Sequence, residues 1–64
     1  MTKIEAIKLM KEGKKLTHRY FSPNEWVTIE NNSILFEDGC ECSQQLFWYD
    51  RKNEYWNDDW SLFE

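Results

Sequence analysis

Lys15 and Arg19 stand four residues apart in a segment that alternates polar and apolar side chains, and Tyr20, Phe21 and Trp26 follow closely. A guanidinium grips a phosphate or carboxylate through two parallel N–H donors, and an ammonium adds a point charge beside it. An indole supplies a flat face for a base or a cation. Lys15, His18, Arg19, Trp26 and Trp48 are therefore the candidate contacts for a small anionic ligand, with Lys15 and Arg19 on the anion and Trp26 or Trp48 as the stacking surface. Each also has a plainer use: Lys15 as a solvated edge charge, His18 as a packed strand residue, and the two tryptophans as core or interface.

Other chemistry finds less support. A nucleophile needs a base and an oxyanion site, and the only histidine has Leu16 and Tyr20 as its same-face strand neighbours. Asp58-Asp59 are adjacent, so on an extended chain their carboxylates point apart, and the pair reads as a turn. With only Gly13 and Gly39 there is no glycine-rich phosphate loop. Cys40 and Cys42 share a strand face at a spacing that fits neither a zinc knuckle nor a redox pair, and a disulfide between them would be strained. The expectation is a non-enzymatic protein with two reduced thiols, no metal and no cofactor.

Charge is divided along the chain. Six cations and two carboxylates lie in residues 1–24, whereas two cations and ten carboxylates lie in residues 25–64. Such an acidic remainder opposes binding of a nucleic-acid polyanion but leaves room for a small anion in a basic pocket. It also offers an alternative: a protein-binding inhibitor acting through Glu37, Asp38, Glu41, Asp58 and Asp59 on a basic partner. The longest apolar run, Leu46 to Tyr49, is too short to span a bilayer, and no signal peptide is visible, so a cytoplasmic location is expected.

Sixty-four residues allow one small domain, because a chain this short buries only about 60% of its unfolded surface. Thr2 and Glu5 form a capping box ahead of an apolar stripe at Ile4, Ile7 and Met10, and Gly13 suits a left-handed cap, which predicts a helix over residues 3–12. Alternation predicts a strand from Lys15 to Phe21, ended by Ser22-Pro23-Asn24. Trp26 to Glu30 and Ser33 to Glu37 read as a hairpin through Asn31-Asn32, and Asp38-Gly39 as a second turn. Ser43 can cap a helical turn into Phe47, although Phe47-Trp48-Tyr49 suits a strand equally, and Trp60 to Phe63 reads as a last strand. The predicted class is α+β: one N-terminal helix packed on a small antiparallel sheet of three to four strands.

The run Glu5-Ala6-Ile7 through Gly13-Lys14-Lys15-Leu16, then Arg19 and Phe21, together with Asp59-Trp60-Ser61-Leu62 near the end, resembles a family of small phage-encoded proteins that includes the second class of Thoeris anti-defence proteins. The similarity covers about residues 2–21 and 57–62. It implies a homo-oligomer, encoded by a phage or mobile element, that binds and sequesters a cyclic nucleotide-like immune signal in the bacterial cytoplasm. The alternative reading, an inhibitor of a host defence complex, keeps the same setting and exchanges the ligand for a protein.

Overall fold

The Thr2 hydroxyl accepts from the Glu5 amide at 3.2 Å, and the Glu5 carboxylate accepts from the Thr2 amide at 2.9 Å. This capping box starts α1, Lys3–Lys11. Its other end closes through Gly13, whose φ of 89° allows Lys14 N–H to reach the Leu9 carbonyl and Gly13 N–H to reach that of Met10. The pattern is a Schellman cap, and it turns the chain sharply into the sheet.

In this computed structural model, which describes residues 1–64, the strands are β1 (Leu16–His18), β2 (Val27–Glu30), β3 (Ser33–Phe36), β4 (Glu41–Ser43) and β5 (Trp60–Leu62). They form one antiparallel sheet in the order β4-β3-β2-β1-β5. The class is α+β as predicted, with five strands where three to four were expected. Asn31 and Asn32 take φ values of 52° and 66° in the β2–β3 turn, as a two-residue hairpin requires. Gly39, at φ 90°, ends the β3–β4 turn.

β1 stops at His18 rather than Phe21. Phe21 N–H turns back to the His18 carbonyl at 2.9 Å and Tyr20 N–H is taken by His18 Nδ1, so Tyr20 leaves the buried face and is exposed. Trp26, Glu37 and Phe63 likewise fall just outside the strands. The helical reading of the Ser43 segment prevails: the Ser43 hydroxyl accepts from Leu46 N–H and starts α2, Gln44–Tyr49. A 3₁₀ turn, Glu54–Asn57, was not foreseen; Asn53 caps it through Tyr55 N–H.

Both helices pack toward one sheet face, around Ala6, Met10, Leu16, Val27, Ile34, Phe47 and Trp60. Thr28 is buried too, its hydroxyl donating to the Lys14 carbonyl at 2.7 Å and tying β2 to the chain leaving α1. On β5, Trp60 N–H donates to the Met1 carbonyl and the Trp60 carbonyl accepts from the Met1 amine, which covers part of that edge strand. No helix is long and apolar enough to cross a membrane.

Candidate functional site

Cross-strand partners share a sheet face, so the register divides the residues of the β1–β5 ladder between the helix side and the open side. Leu16 pairs with Val27 and Leu62, and His18 with Trp60, on the helix side. Thr17 pairs with Ser61 on the other. The β1–β5 register continues one pair beyond each strand end, because Phe63 N–H donates to the Lys15 carbonyl at 2.9 Å and Arg19 N–H to that of Asp59 at 3.2 Å. Lys15/Phe63, Thr17/Ser61 and Arg19/Asp59 are thus successive pairs along the side away from the helices.

Trp26 joins them from the start of β2. Lys15 Nζ lies 4.5 Å from the centroid of the Trp26 ring, and the Trp26 and Phe63 rings are 6.4 Å apart. Neither Trp26 nor Phe63 packs on the core cluster, and both are half-buried. The result is a ledge: an aromatic pair and a cation at one end, small hydroxyl residues in the middle, and Arg19 at the other end. Four strand residues at about 3.3 Å each place Lys15 and Arg19 roughly 13 Å apart along the chain, within the reach of two long flexible side chains.

Arg19 is lightly held. Its Nη1 is 3.9 Å from Asp59 Oδ2, with the two side chains 69% and 51% exposed, and its guanidinium lies 5.9 Å from the Tyr20 ring. An exposed pair at that distance contributes little stability, so the donors remain open to a better acceptor.

The other two candidates lie elsewhere. His18 is 3% exposed. Its Nδ1 accepts from Tyr20 N–H at 3.1 Å, which makes Nε2 the donor, to the Asp58 carbonyl at 2.7 Å and more weakly to that of Tyr55 at 3.2 Å. Its ring is packed between Trp56, tilted at 4.3 Å, and Trp60, edge-on at 4.8 Å, leaving no free edge for a ligand. Trp48 is on the helix side, 5.5 Å from Trp60 and beneath the Lys3 ammonium at 4.7 Å. The structure therefore gathers Lys15, Arg19 and Trp26 and separates them from His18 and Trp48. Phe63 completes the ledge and escaped the sequence reading; its signal was parity with Ser61 against buried Trp60.

The acidic candidates divide as well. Glu37, Asp38 and Glu41 belong to the β3–β4 hairpin, whereas Asp58 and Asp59 precede β5, and β4 and β5 are opposite edges of the sheet. Asp38 is committed locally, since Cys40 N–H donates to it at 2.9 Å and holds its carboxyl below the usual value. The hydrogen bond to Asp38 and its charge push the Cys40 thiol up, and burial does the same for Cys42, so neither is an activated thiolate. Both are free. No group of three or more His, Cys, Asp or Glu residues is placed to hold a metal ion.

Arg51 is drawn against the aromatic layer, its guanidinium 4.0 Å from the Phe47 ring and 5.3 Å from that of Trp56. Burial lowers its pKa, and Nη1 donates to the Phe47 carbonyl at 3.3 Å. It caps the aromatic layer at Phe47 and Trp56. The three surface hollows are lined by α1 and the residues flanking it, with Asn57 in one, or by Ser43 and α2, and none includes Lys15, Arg19, Trp26 or Phe63. The ledge is an open platform rather than a pocket.

No protein-family model, no curated protein and no solved structure matches the chain.

Proposed function

We propose that this chain is a non-enzymatic binder that captures a small anionic ligand of the cyclic nucleotide type on the open side of its sheet. In that role Arg19 and Lys15 meet the anionic groups, and the Trp26 ring, flanked by Phe63, meets the base. The observation that carries the reading is the clustering of Lys15, Trp26 and Phe63 on a face that neither helix covers, with Arg19 two residue pairs along the same ladder. Tryptophan and phenylalanine left off the core of so small a chain are costly to leave wet, and a flat ligand gives them a partner.

Because the platform is open, enclosure of the ligand comes from a second copy of the chain, giving a homo-oligomer with the ligand between protomers. The resemblance of the two chain ends to phage anti-defence proteins supplies the biological reading: a phage or mobile-element accessory protein that withdraws a defence signal by sequestering it in the host cytoplasm. The alternative, inhibition of a host defence complex through an acidic surface, has less geometric support, since its residues occupy opposite sheet edges.

Native mass spectrometry of the purified protein with a panel of cyclic nucleotides and cyclic ADP-ribose isomers tests this reading. An oligomer that gains one ligand's mass supports it. A protein that retains none of the panel while capturing a basic host protein overturns it in favour of the alternative.

A further inference from the structure

We infer that Asp59 is an internal stand-in for the ligand's anion at Arg19, so that ligands bind by displacing this carboxylate and Asp59 decides which of them succeed. The inference rests on the ligand-binding reading of the open sheet side and adds a specificity device to it.

Three non-glycine residues have positive φ. Asn31 and Asn32 form a two-residue hairpin turn that demands it. Asp59, at φ 69°, sits in no hairpin; it is the residue that leads into β5. Its backbone is fixed from three directions. Asp58 Oδ1 accepts from Asp59 N–H at 2.9 Å, Arg19 N–H donates to the Asp59 carbonyl at 3.2 Å, and the Asp58 carbonyl accepts from buried His18 at 2.7 Å. These bonds set Asp59 directly across the ladder from Arg19.

The side chains do not complete what the backbone prepares. Their closest approach is 3.9 Å, beyond hydrogen-bond range, and both are more than half exposed. Asp59 consequently balances the Arg19 charge without occupying its donors. An incoming anion must overcome that carboxylate, and Asp58 beside it adds to the repulsion. A phosphoryl group does so with more charge and a geometry matched to two guanidinium N–H donors, whereas a simple carboxylate only equals what is already there. Asp59 therefore biases the platform toward phosphoryl ligands.

The test is an NMR titration of ¹⁵N-labelled protein with inorganic pyrophosphate and, separately, acetate, following the Arg19 side-chain signal and, in every variant, the backbone amides of Thr17, Ser61 and position 19. Asp59→Asn keeps the size and tolerates the left-handed backbone while removing the charge. It should bind pyrophosphate about two- to fivefold more tightly, the scale of one exposed charge pair, and its preference for pyrophosphate over acetate should narrow. Arg19→Ala should abolish the response. Glu37→Gln, which changes net charge equally at the distant β3–β4 turn, should leave it unaltered.

Unchanged or weaker binding by Asp59→Asn overturns the inference, as does an equal gain in Glu37→Gln. A missing Arg19 response in the unmodified protein overturns both this device and Arg19 as an anion contact. A pyrophosphate response that follows these expectations, in a protein that retains no cyclic nucleotide, would sustain the device and remove only the nucleotide identity proposed above.

Discussion

Lys15 Nζ lies 4.5 Å above the Trp26 ring on the sheet side that faces away from both helices. The contact joins the basic opening of the chain to an aromatic residue that contributes nothing to the core cluster. It distinguishes Trp26 from Trp48, Trp56 and Trp60, which share the helix side with His18 and Phe47. Composition alone treats these four residues alike. Their positions give them different consequences when removed.

Trp60→Ala should destabilise the fold by about 3–5 kcal/mol, the usual cost of deleting a large buried aromatic; Trp60 is 1% exposed and its indole N–H donates to the Trp56 carbonyl at 2.9 Å. Trp26→Ala should cost about 1 kcal/mol, in the range of substitutions away from the core. Urea unfolding of the two variants reads the difference. Equal losses would mean that Trp26 is structural.

His18→Phe preserves ring area but leaves Tyr20 N–H and the Asp58 carbonyl without their partner. At roughly 1–3 kcal/mol for each group left unpaired, a loss of about 2–6 kcal/mol is expected in the same unfolding measurement. Any loss of ligand binding in this variant should follow the unfolded fraction, because the ring is not on the ledge.

The junction between α1 and the sheet should respond to two small changes. Gly13→Ala places a β-carbon where nothing lies within 4 Å, so its penalty of about 1 kcal/mol comes from the φ of 89° and not from a clash. Thr28→Val removes the 2.7 Å bond to the Lys14 carbonyl and should cost about 1–2 kcal/mol. Thermal melts of the two variants and their combination check both values.

The local signals that proved legible were those with a short-range mechanism. Thr2, Glu5 and Gly13 define their own helix ends, Asn31-Asn32 their own hairpin, and Ser43 its own cap, whatever the rest of the chain does. Alternation placed Thr17 opposite in facing to Leu16 and so separated the open side from the core. What the sequence did not reveal depends on distant partners. β4 is three residues long and exists because β3 pairs with it. His18 became inaccessible through carbonyls 37 and 40 residues away. The five candidate ligand contacts were chosen by chemistry, and only tertiary placement could show that Trp48 lies across the sheet from Trp26 while Phe63 lies beside it.

Acid should weaken the start of α1. The Glu5 carboxyl is held below its ordinary value of 4.5, first by the Thr2 amide and then by the Thr2 hydroxyl. A group whose pKa is lower in the folded state stabilises that state above its unfolded pKa and loses this contribution as pH falls through the folded one. The stability gap between the protein and Glu5→Ala should therefore be full at neutral pH and should close below pH 4.5. Melting curves across that range test it; a gap that widens in acid would contradict the capping role.

The most direct test of the ledge is a set of binding isotherms, for whichever cyclic nucleotide or cyclic ADP-ribose isomer the protein retains in native mass spectra, across Arg19→Ala, Trp26→Ala and Trp48→Phe. Arg19→Ala and Trp26→Ala should each lose at least tenfold in affinity with the fold intact, and Trp48→Phe should bind as the unmodified protein does. A ligand whose affinity survives both ledge substitutions, or falls only when Glu37, Asp38 and Glu41 are reversed in charge, would contradict the assignment of this face as the binding site.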